Sequence, residues 1–387
     1  MKKIAILGST GSIGSSLIKI IKKDKKNFKI ELITANKNYK KLINQVKFFK
    51  IKNVIVTNQS SFLKVKKIFR NKKINIYNNF DSLNVIFKNQ KIDYTMCSIV
   101  GFYGLKPTLD IIRFSKVVAI ANKESIICGW NLIKKNLDKF KTKFIPVDSE
   151  HFSIWSLIGD GKINNFEKIY ITASGGPFRD YPLNKFKDIT PKKALMHPNW
   201  SMGKKISIDS ATMMNKVFEI IEAKKIFDLK YNQLEILIHP KSYLHAIVKL
   251  NNGLSKFLIH DTNMTIPIFN SLYHDNNKNI RSNTLDLKIL NNLKLSQVDK
   301  NRFPVIKIID KLSNNTSLFE TVIVSANDAL VNKFLKNEIN FNDISKFLFK
   351  IINLNEFKKF KNITPKNVDE VVKLANYVSL KIKNISV

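Results

Sequence analysis

A short apolar run near the start of the chain leads directly into a glycine-rich turn. Ile4–Leu7 is typical of a buried parallel strand, and GSTGSIG at residues 8–14 follows it. Apolar residues then recur at helical spacing from Ser15 to Ile21. A strand, a tight turn and a helix in this order predict the first unit of a doubly wound parallel sheet.

The same alternation continues as far as Val147. Apolar, β-branched segments that predict strands are separated by segments with helical periodicity. The predicted strands are residues 28–34, 53–57, 94–99, 117–120 and 143–147, and the predicted helices are residues 39–49 and 61–69. We therefore expect an α/β fold with an N-terminal, Rossmann-like doubly wound parallel sheet.

The pattern changes after Glu150 and predicts a second domain, a linker and a C-terminal helical domain. Strands are expected at residues 168–173 and 234–238, an antiparallel pair at 246–250 and 256–259, and a long helix from Ser210 to Phe227. Residues 275–302 are polar and rich in Asn, and the spacing from Phe303 onward is helical. The predicted domains are the sheet domain 1–147, a central α+β domain 148–274, a linker 275–302 and a small C-terminal helical domain 303–387.

The net charge of +36 raises the question of nucleic-acid binding. The cations are nearly all lysines and are spread along the whole chain rather than clustered. Asn, Ile and Phe are also abundant, and all four residue types have A/T-rich codons, so mutational bias explains the charge as well as function does. We expect no specific nucleic-acid partner, although weak, salt-sensitive binding to polyanions should occur.

Two cysteines, Cys97 and Cys128, form no CxxC pair, which argues against a disulfide framework or a zinc site. No apolar run approaches the roughly 20 residues of a membrane span. The apolar run at the N-terminus is too short for a signal peptide. These features predict a cytoplasmic protein with no membrane partner.

The glycine turn suits a dinucleotide cofactor. Glycines let the backbone approach a pyrophosphate, and a helix N-terminus favours its negative charge. The end of the next predicted strand carries Lys37 where an NAD site usually has Asp or Glu, so NADP is favoured over NAD. An ordinary βα turn and one more solvated lysine would give the same pattern.

Asp148 and Glu150 flank Ser149 directly after a predicted strand. In an extended segment the two carboxylates would point to one side, because strand side chains alternate. Two oxygen ligands on one side suit Mg²⁺ or Mn²⁺. The alternative is an N-cap in which Asp148 or Ser149 caps a helix that starts near His151.

A second polar stretch, residues 197–219, ends in the predicted helix. Asn215 and Lys216 lie four and three residues before Glu219, so all three can share one helix face. Such a face suits a phosphate held by Ser210, Asn215 and Lys216, with Glu219 completing a metal site. SGGPFR at residues 174–179 is another turn with free backbone N–H groups. A solvated helix face and a plain turn would also account for these two segments.

Taken together, these motifs closely resemble the 1-deoxy-D-xylulose 5-phosphate reductoisomerase family. The resemblance covers the first two predicted domains, and the C-terminal helical segment matches only weakly. The matching segments, in order, are GSTGSIG (8–14), NKES (122–125), PVDSEH (146–151), SGGPFR (174–179), HPNWSMG (197–203), ISIDSATMMNK (206–216) and LIHPKS (237–242).

The resemblance implies a role for each matching residue. The NADPH-binding residues would be Thr10, Gly11, Ser12, Ile13, Lys37, Asn38, Asn122, Glu124 and Gly203. The ligands of Mg²⁺ or Mn²⁺ would be Asp148, Glu150 and Glu219. The substrate-binding residues would be Lys123, Ser149, Glu150, Ser174, His197, Ser210, Asn215, Lys216 and Glu219, with the phosphate on Ser174, Ser210, Asn215 and Lys216. Trp200 and Met202 would belong to a mobile lid.

The resemblance also implies the reaction. The family converts 1-deoxy-D-xylulose 5-phosphate to 2-C-methyl-D-erythritol 4-phosphate in non-mevalonate isoprenoid biosynthesis. The metal would stabilise oxyanion charge during the rearrangement, helped by Lys123, and the rearranged aldehyde would take a hydride from NADPH. His197 and Glu150 are the candidates for proton transfer. The expected partners are a small phosphorylated sugar and a second copy of the chain.

Four positions depart from the family pattern, namely Asn36, Val217, Thr265 and Asp328. Val217 could crowd Lys216 and leave an enzyme that folds but turns over poorly. Two different functions compete with the reductoisomerase: an NADP-dependent dehydrogenase of another phosphorylated carbonyl substrate, and a nucleic-acid-binding protein. Metal dependence separates the dehydrogenase from the reductoisomerase, and a salt titration of binding tests the nucleic-acid-binding protein.

Overall fold

The structure is a computed structural model that describes residues 1–88, 90–159, 166–200, 202–276 and 278–384. It divides into two compact units. The first unit contains Met1–Ser125, Leu132–Asp148 and Met264–Ile280. The second contains Ile126–Asn131, Ser149–Asn263 and Arg281–Val387.

The part of the chain before Asp148 alternates strands and helices, as predicted. The strands are β1 (Lys2–Leu7), β2 (Phe28–Ala35), β3 (Asn53–Val56), β4 (Asn75–Tyr77), β5 (Tyr94–Cys97), β6 (Val117–Ile120) and β7 (Lys143–Pro146). The helices are α1 (Ser12–Lys23), α2 (Tyr39–Phe49), α3 (Gln59–Ile68), α4 (Leu83–Ile86), α5 (Leu105–Ile112) and α6 (Lys123–Phe140).

The rest of the chain has ten α-helices in the described residues and a second set of strands. The helices are α7 (Ser149–Ile158), α8 (Pro191–Ala194), α9 (Lys204–Ala211), α10 (Met214–Ile226), α11 (Thr265–Leu272), α12 (Leu287–Leu290), α13 (Phe319–Leu335), α14 (Phe341–Ile352), α15 (Asn355–Lys358) and α16 (Val368–Lys383). The strands are β8 (Phe166–Ala173), β9 (Leu234–Ile238), β10 (Leu244–Leu250), β11 (Ser255–Ile259) and β12 (Ser296–Gln297).

The first unit is built on a parallel sheet with the strand order β4-β3-β2-β1-β5-β6-β7. Every neighbouring pair runs parallel. The chain order reverses between β1 and β5, where Leu7 pairs with Cys97. In doubly wound sheets ligands bind outside the carboxyl ends of the strands at such a reversal, and the glycine turn directly follows β1. The predicted doubly wound fold is confirmed.

Burial explains why these segments form the sheet. Ile4, Ala5, Ile6 and Leu7 are all fully buried, as expected for a central parallel strand with both faces covered. The later segment Met264–Ile280 returns to this unit through α11. Its Ser271 hydroxyl lies 2.8 Å from the buried Tyr94 hydroxyl, and its Tyr273 ring packs edge-on against Phe28.

The second unit contains a mixed sheet with the order β11-β10-β8-β9-β12. β8 and β9 are parallel, and β10 is antiparallel to both β8 and β11. The predicted linker 275–302 is wrong in part, because it contains α12 and because β12 pairs with β9. Backbone hydrogen bonds to β9 hold part of this polar segment in the sheet.

The helices α13–α16 form the C-terminal part of the second unit. α13 is buried over most of its length, and it packs against α14 and α16. The predicted helical segment 303–387 therefore belongs to the same compact unit as residues 149–263. Among the residues that the structure describes, no helix combines the length and apolar character needed to cross a membrane.

Candidate active site

The glycine turn after β1 closes on itself very tightly. Gly11 N donates to Gly8 O at 3.2 Å, and a Cβ on Gly14 would lie 2.4 Å from the same carbonyl oxygen. Only glycine therefore fits at position 14. No side chain caps the N-terminus of α1, and its first turn has no acidic residue. The free N–H groups of this turn suit a pyrophosphate.

A lysine that the sequence did not single out approaches this turn. Lys41 in α2 places its Nζ 3.2 Å from the carbonyl oxygen of Thr10 and 2.5 Å from the Ser15 hydroxyl. An ammonium group at this position favours a negatively charged ligand on the glycine turn. One lysine among many carries no local sequence signal, so only the structure identifies it.

The residues after β2 are exposed, as a cofactor contact requires. Lys37 and Asn38 are both exposed, and the Asn38 side chain caps α2 by accepting from Lys41 N at 3.3 Å. Asn36, one of the departures from the family pattern, donates to the Thr57 hydroxyl at 2.8 Å.

Asn122 braces a loop and caps a helix in the first unit. Its Nδ2 donates to the carbonyl oxygens of Ile99 and Gly101, and its Oδ1 accepts from Ser125 N at 2.6 Å. The Asn122 side chain is buried, and its hydrogen bonds hold the loop that follows β5 in place.

Lys123 and Glu124, the next two residues, are also buried. The Lys123 Nζ lies 3.1 Å from Asp148 Oδ2. The structure thus brings together one predicted metal ligand and one predicted substrate-binding cation at the carboxyl ends of β6 and β7.

The predicted extended geometry around Ser149 is wrong. Both Ser149 and Glu150 lie in the first turn of α7, which begins two residues earlier than the N-cap alternative supposed. Ser149 Oγ donates to Glu150 Oε2 at 2.6 Å, and its carbonyl oxygen accepts from Ser153 Oγ. Helical geometry rather than strand alternation therefore sets the direction of the Glu150 carboxylate.

The predicted helix from Ser210 to Phe227 is confirmed over Met214–Ile226 but is wrong at its start, where the helix breaks. α9 ends at Ala211, Met213 has φ 66 in the left-handed region, and α10 begins at Met214. Methionine rarely adopts this conformation, so surrounding contacts hold the break in place. The Met213 and Met214 side chains are both buried.

The break places three polar residues, Asn215, Lys216 and Glu219, in the first turns of α10, and Lys216 reaches a carboxylate of α7. Lys216 Nζ lies 2.8 Å from Glu150 Oε1 and 2.5 Å from Glu219 Oε2. Asn215 Nδ2 also donates to Glu219 Oε1. We call Glu150, Asn215, Lys216 and Glu219 the carboxylate–lysine cluster. The predicted shared helix face is confirmed.

The cluster has the chemistry of a cation site. Burial would lower the pKa of Lys216, but the carboxylates of Glu150 and Glu219 outweigh burial and raise it. Glu219 is 1% exposed, and two such carboxylates require a positive charge between them. Lys216 supplies that charge here, and a divalent ion bound by oxygen ligands would suit the same surroundings.

The SGGPFR turn after β8 packs against the helix α9 that carries Ser210. A Cβ on Gly176 would lie 2.8 Å from the Ser210 carbonyl oxygen, and Gly176 N donates to Ser174 Oγ at 3.1 Å. Arg302 donates from Nη1 to the carbonyl oxygens of Phe178 and Tyr181. These contacts bring the predicted phosphate ligands Ser174 and Ser210 close together, and Arg302 had no signal in the sequence.

His197 is held as a neutral hydrogen-bond donor. Its Nδ1 accepts from the backbone N–H groups of Asn199 and Trp200, at 3.1 Å and 3.0 Å. Nδ1 therefore carries no proton, and the neutral ring has its proton on Nε2, which lies 3.2 Å from Ser174 Oγ. Burial and then the nearby Lys216 ammonium lower the pKa of His197 to about 4.

The predicted lid residue Trp200 rests on stacked imidazole rings. Its indole meets His245 edge-on at 6.1 Å, and His245 stacks on His260 with centroids 3.6 Å apart. Both histidines are buried. Met202 is half-buried, Gly203 at the start of α9 faces open space, and Ser201 lies outside the described residues.

The remaining departures from the family pattern have structural places. Val217 is fully buried in α10, and Thr265 is the first residue of α11. Asp328 in α13 lies 3.0 Å from Lys205 Nζ, which also lies 3.1 Å from Asp209 in α9.

The fold and these side chains define a class of protein. The first unit has the sheet, strand reversal and glycine turn of dinucleotide-binding oxidoreductases. The second unit adds a buried carboxylate–lysine cluster and a serine-containing turn, which suit an anionic substrate and a cation.

Comparison with known proteins identifies the family. The family model described as 1-deoxy-D-xylulose 5-phosphate reductoisomerase matches residues 4–129, and two models for C-terminal domains of the same enzyme match residues 144–227 and 260–379. The 1-deoxy-D-xylulose 5-phosphate reductoisomerase of Pelagibacter ubique is 71% identical, with 100% of both chains covered. The Clostridium kluyveri enzyme is 38% identical over 89% of this chain and 90% of its own. The chain belongs to the 1-deoxy-D-xylulose 5-phosphate reductoisomerase family.

Solved structures agree with this assignment. The Zymomonas mobilis reductoisomerase in complex with NADPH is 31% identical, with a TM-score of 0.87 and 98% of both chains covered. DOX-P reductoisomerase in complex with NADPH, fosmidomycin and magnesium is 28% identical, with a TM-score of 0.91 and coverage of 99% of this chain and 98% of its own. The expected weak match of the C-terminal helical segment is wrong, because the family match extends to residue 379.

Proposed function

We propose that the protein converts 1-deoxy-D-xylulose 5-phosphate to 2-C-methyl-D-erythritol 4-phosphate with NADPH and a divalent metal ion, as a step of non-mevalonate isoprenoid biosynthesis. The observation that carries the proposal is the carboxylate–lysine cluster, in a chain that belongs to this family. A plain dehydrogenase of another phosphorylated carbonyl compound has no need of two buried carboxylates that share one cation.

Asp148, Glu150 and Glu219 would hold Mg²⁺ or Mn²⁺. Their carboxylates are the oxygen ligands that these ions prefer, and the cation between Glu150 and Glu219 already shows that the site requires positive charge. Asp148 is two residues from Glu150 along the chain and is paired with Lys123. When bound, the ion supplies a Lewis acid for oxyanion charge that develops during the rearrangement.

Several side chains act at the reacting end of the substrate. Lys123 adds positive charge beside Asp148. Ser149 offers a hydroxyl next to Glu150, and the Nε2–H group of His197 donates to an oxygen acceptor. Because Nδ1 already accepts from two backbone N–H groups and Nε2 carries the ring proton, His197 acts as a donor, and Glu150 is the proposed general base.

The substrate phosphate is held by the other predicted residues. Ser174 and Ser210 come close through Gly176, and Asn215 and Lys216 lie at the start of α10. Binding of a metal ion to the carboxylates would release the Lys216 ammonium, which then becomes available to the phosphate. Phosphate binding away from the reacting carbons supplies positioning energy.

The carboxyl ends of the first unit's strands would hold NADPH, which would supply the hydride. Thr10, Gly11, Ser12 and Ile13 would take the pyrophosphate at the start of α1, with the Lys41 ammonium nearby. The exposed Lys37 and Asn38 would take the 2′-phosphate. The remaining proposed members of this site are Asn122, Glu124 and Gly203. Trp200 and Met202 would exclude water during the reaction.

The direct test is NADPH oxidation by the purified protein with 1-deoxy-D-xylulose 5-phosphate, in Mn²⁺ or Mg²⁺ and then in chelator. Turnover should require the metal and should be lost in Asp148→Asn and Glu219→Gln. Glu235→Gln is the matched control, because Glu235 lies on β9 and pairs with Lys168 of β8, apart from the cluster. Turnover that survives chelator would favour the dehydrogenase, and NADPH binding without turnover would point to another substrate or a poorly active enzyme.

The exposed surface of β11 is suited to binding a second copy of the chain. β11 is an edge strand of the second unit's sheet, and its Phe257 is 49% exposed beside Leu254, which is 60% exposed. An exposed apolar edge strand favours pairing with another chain. A homodimer through this edge should become monomeric in Phe257→Lys by light scattering. A dimer that survives this substitution would place the interface elsewhere.

The two thiols support a cytoplasmic location. Cys97 and Cys128 are both buried and form no disulfide. Burial raises the pKa of the Cys97 thiol to about 12, so little of the reactive thiolate forms. Cell fractionation with an antibody to the protein tests this location.

A further inference from the structure

One buried histidine joins the two helices that carry the carboxylates of the cluster. Glu150 lies in α7 and Glu219 lies in α10. His151, the residue after Glu150, is fully buried, and its Nε2 lies 2.9 Å from the backbone carbonyl oxygen of Glu219. A carbonyl oxygen can only accept, so Nε2 carries a proton and donates it. The imidazole therefore ties the backbone next to one carboxylate to the backbone of the other.

The other side of this ring faces a further buried carboxylate. Nδ1 of His151 lies 3.9 Å from Glu222 Oε2, and Glu222 is 1% exposed. Glu222 is three residues after Glu219, so α10 presents both acidic residues on neighbouring turns of one face. The Phe227 ring lies nearly parallel to the imidazole at a centroid distance of 6.5 Å. These neighbours leave the ring little freedom to rotate.

The polar face of α10 continues to the C-terminal helices. Lys225 Nζ lies 3.3 Å from Glu320 Oε1 in α13, and both side chains are buried. Glu320 Oε2 in turn accepts from Ser317 N and Oγ. Residues 216, 219, 222 and 225 therefore form a stripe of buried charged side chains at three-residue spacing.

Such a stripe is a costly way to pack helices. Replacing buried ion pairs by apolar residues of similar volume is often neutral or stabilising, so stability alone does not account for it. What polar contacts do provide is a defined register, because each donor must meet one acceptor. For a cation site, register decides whether the carboxylate oxygens meet the short metal–oxygen distances, about 2.0–2.1 Å for Mg²⁺.

We propose that His151 and Glu222 are positioning residues that hold the Glu150 and Glu219 carboxylates at the spacing of a divalent-cation site. Neither residue binds the ion. His151 fixes α7 against α10 through the Glu219 carbonyl oxygen, and the Glu222 side chain fills the space beside the opposite edge of the ring. The inference rests on the proposed function, because it assumes that Glu150 and Glu219 bind a metal.

The test is Mn²⁺ affinity of the full-length protein without substrate, measured from the electron paramagnetic resonance signal of free Mn²⁺. His151→Phe keeps the ring volume and removes the donor, and it should weaken Mn²⁺ binding by about 10–100-fold, as loss of outer-shell partners does at other metal sites. His151→Gln retains an N–H donor and should recover most of the affinity. Glu222→Ala, which opens space beside the ring, should weaken binding in the same direction.

The matched control is His239→Gln. His239 is also fully buried and also contacts one backbone carbonyl oxygen, that of Leu293, but it follows β9 and lies on neither helix of the cluster. Its substitution should leave Mn²⁺ affinity unchanged, whatever it does to the melting temperature. This control separates positioning from a general loss of stability.

The outcomes distinguish this inference from the proposed function. If Asp148→Asn and Glu219→Gln abolish Mn²⁺ binding but folded His151→Phe binds within about twofold of the parent protein, the positioning role is overturned and the metal site stands. If Asp148→Asn and Glu219→Gln leave Mn²⁺ binding unchanged, the proposed metal site fails. Nitrogen hyperfine coupling to bound Mn²⁺ would show direct ligation and overturn the positioning role. If His151→Phe does not fold, the Glu222→Ala affinity decides, and an unchanged value counts against the proposal.

Discussion

Replacing Lys216 by methionine should make the second unit depend on a divalent cation for its stability. The Lys216 ammonium lies 2.8 Å from Glu150 Oε1 and 2.5 Å from Glu219 Oε2, in buried surroundings. Methionine fills much of the same volume but carries no charge. Two buried carboxylates would then face each other without a cation, unless a metal ion takes the place of the ammonium.

The size of the effect follows from these distances. At an effective dielectric constant of about 20, each contact contributes roughly 6–7 kcal/mol of gross attraction, of which desolvation cancels a large part. Removing one partner of a buried ion pair costs about 3–5 kcal/mol. At about 2–4 °C per kcal/mol for a unit of this size, Tm in chelator should fall by roughly 6–20 °C.

Thermal unfolding in EDTA and in excess Mn²⁺ measures both parts of the prediction. A ligand at 100 times its Kd stabilises the folded state by about 2.7 kcal/mol. Lys216→Met should show a larger Mn²⁺-induced rise in Tm than the parent protein, since the ion no longer has to displace an ammonium group.

Lys205→Met is the control, because Lys205 lies between two carboxylates in the same way, 3.1 Å from Asp209 and 3.0 Å from Asp328. It should lose stability without any extra Mn²⁺-induced gain. Equal Mn²⁺-induced shifts in Lys216→Met, Lys205→Met and the parent protein would refute the reasoning.

Three further outcomes are expected. Burial and the Lys216 ammonium lower the pKa of His197 to about 4. As the pH falls, His197 therefore becomes protonated in the unfolded chain before it does in the folded protein. The resulting contribution to stability is complete above about pH 6.5 and is lost as the pH falls toward 4. His197→Gln should reduce the dependence of Tm on pH between about pH 4.5 and 7, and an unchanged slope of Tm against pH would contradict this. Lys225→Met should lower the free energy of unfolding in denaturant by about 3–5 kcal/mol, and adding Glu320→Leu should recover most of that loss. A double variant no more stable than Lys225→Met would argue against the Lys225–Glu320 ion pair. Val217→Gly should lower the free energy of unfolding by roughly 2.5–4 kcal/mol, because the side chain is fully buried in α10. Turnover should not rise, and a large rise in kcat would instead show that valine crowds the site.

Local patterns predicted the first unit well. The bounds of α2 and β6 agree with their predicted ranges, because each segment's own periodicity decides its conformation. β4, at the edge of the sheet, was missed. It has only three residues, too few for an alternating pattern, and its pairing with β3 creates it.

The break between α9 and α10 could not be read from local sequence. Ala211-Thr212-Met213-Met214 contains no glycine or proline, and its apolar residues continue the helical pattern. In the folded protein, the Thr212 hydroxyl lies within hydrogen-bonding distance of the Ile208 carbonyl oxygen and of Met214 N. Tertiary packing overrides helix propensity here, and the break sets where Lys216 and Glu219 lie.

The sequence by itself determined the family, the doubly wound sheet and the shared face of Lys216 and Glu219. These follow from motifs, from periodicity and from the three-residue spacing within one helix, all of which act over short stretches of chain. Only the tertiary structure decided that Lys216 meets Glu150, which lies 66 residues earlier, and that His197 is neutral. A contact between side chains so far apart in sequence cannot be predicted from the local pattern around either residue. Burial and hydrogen-bond partners, which decide that His197 is neutral, exist only once the chain has folded.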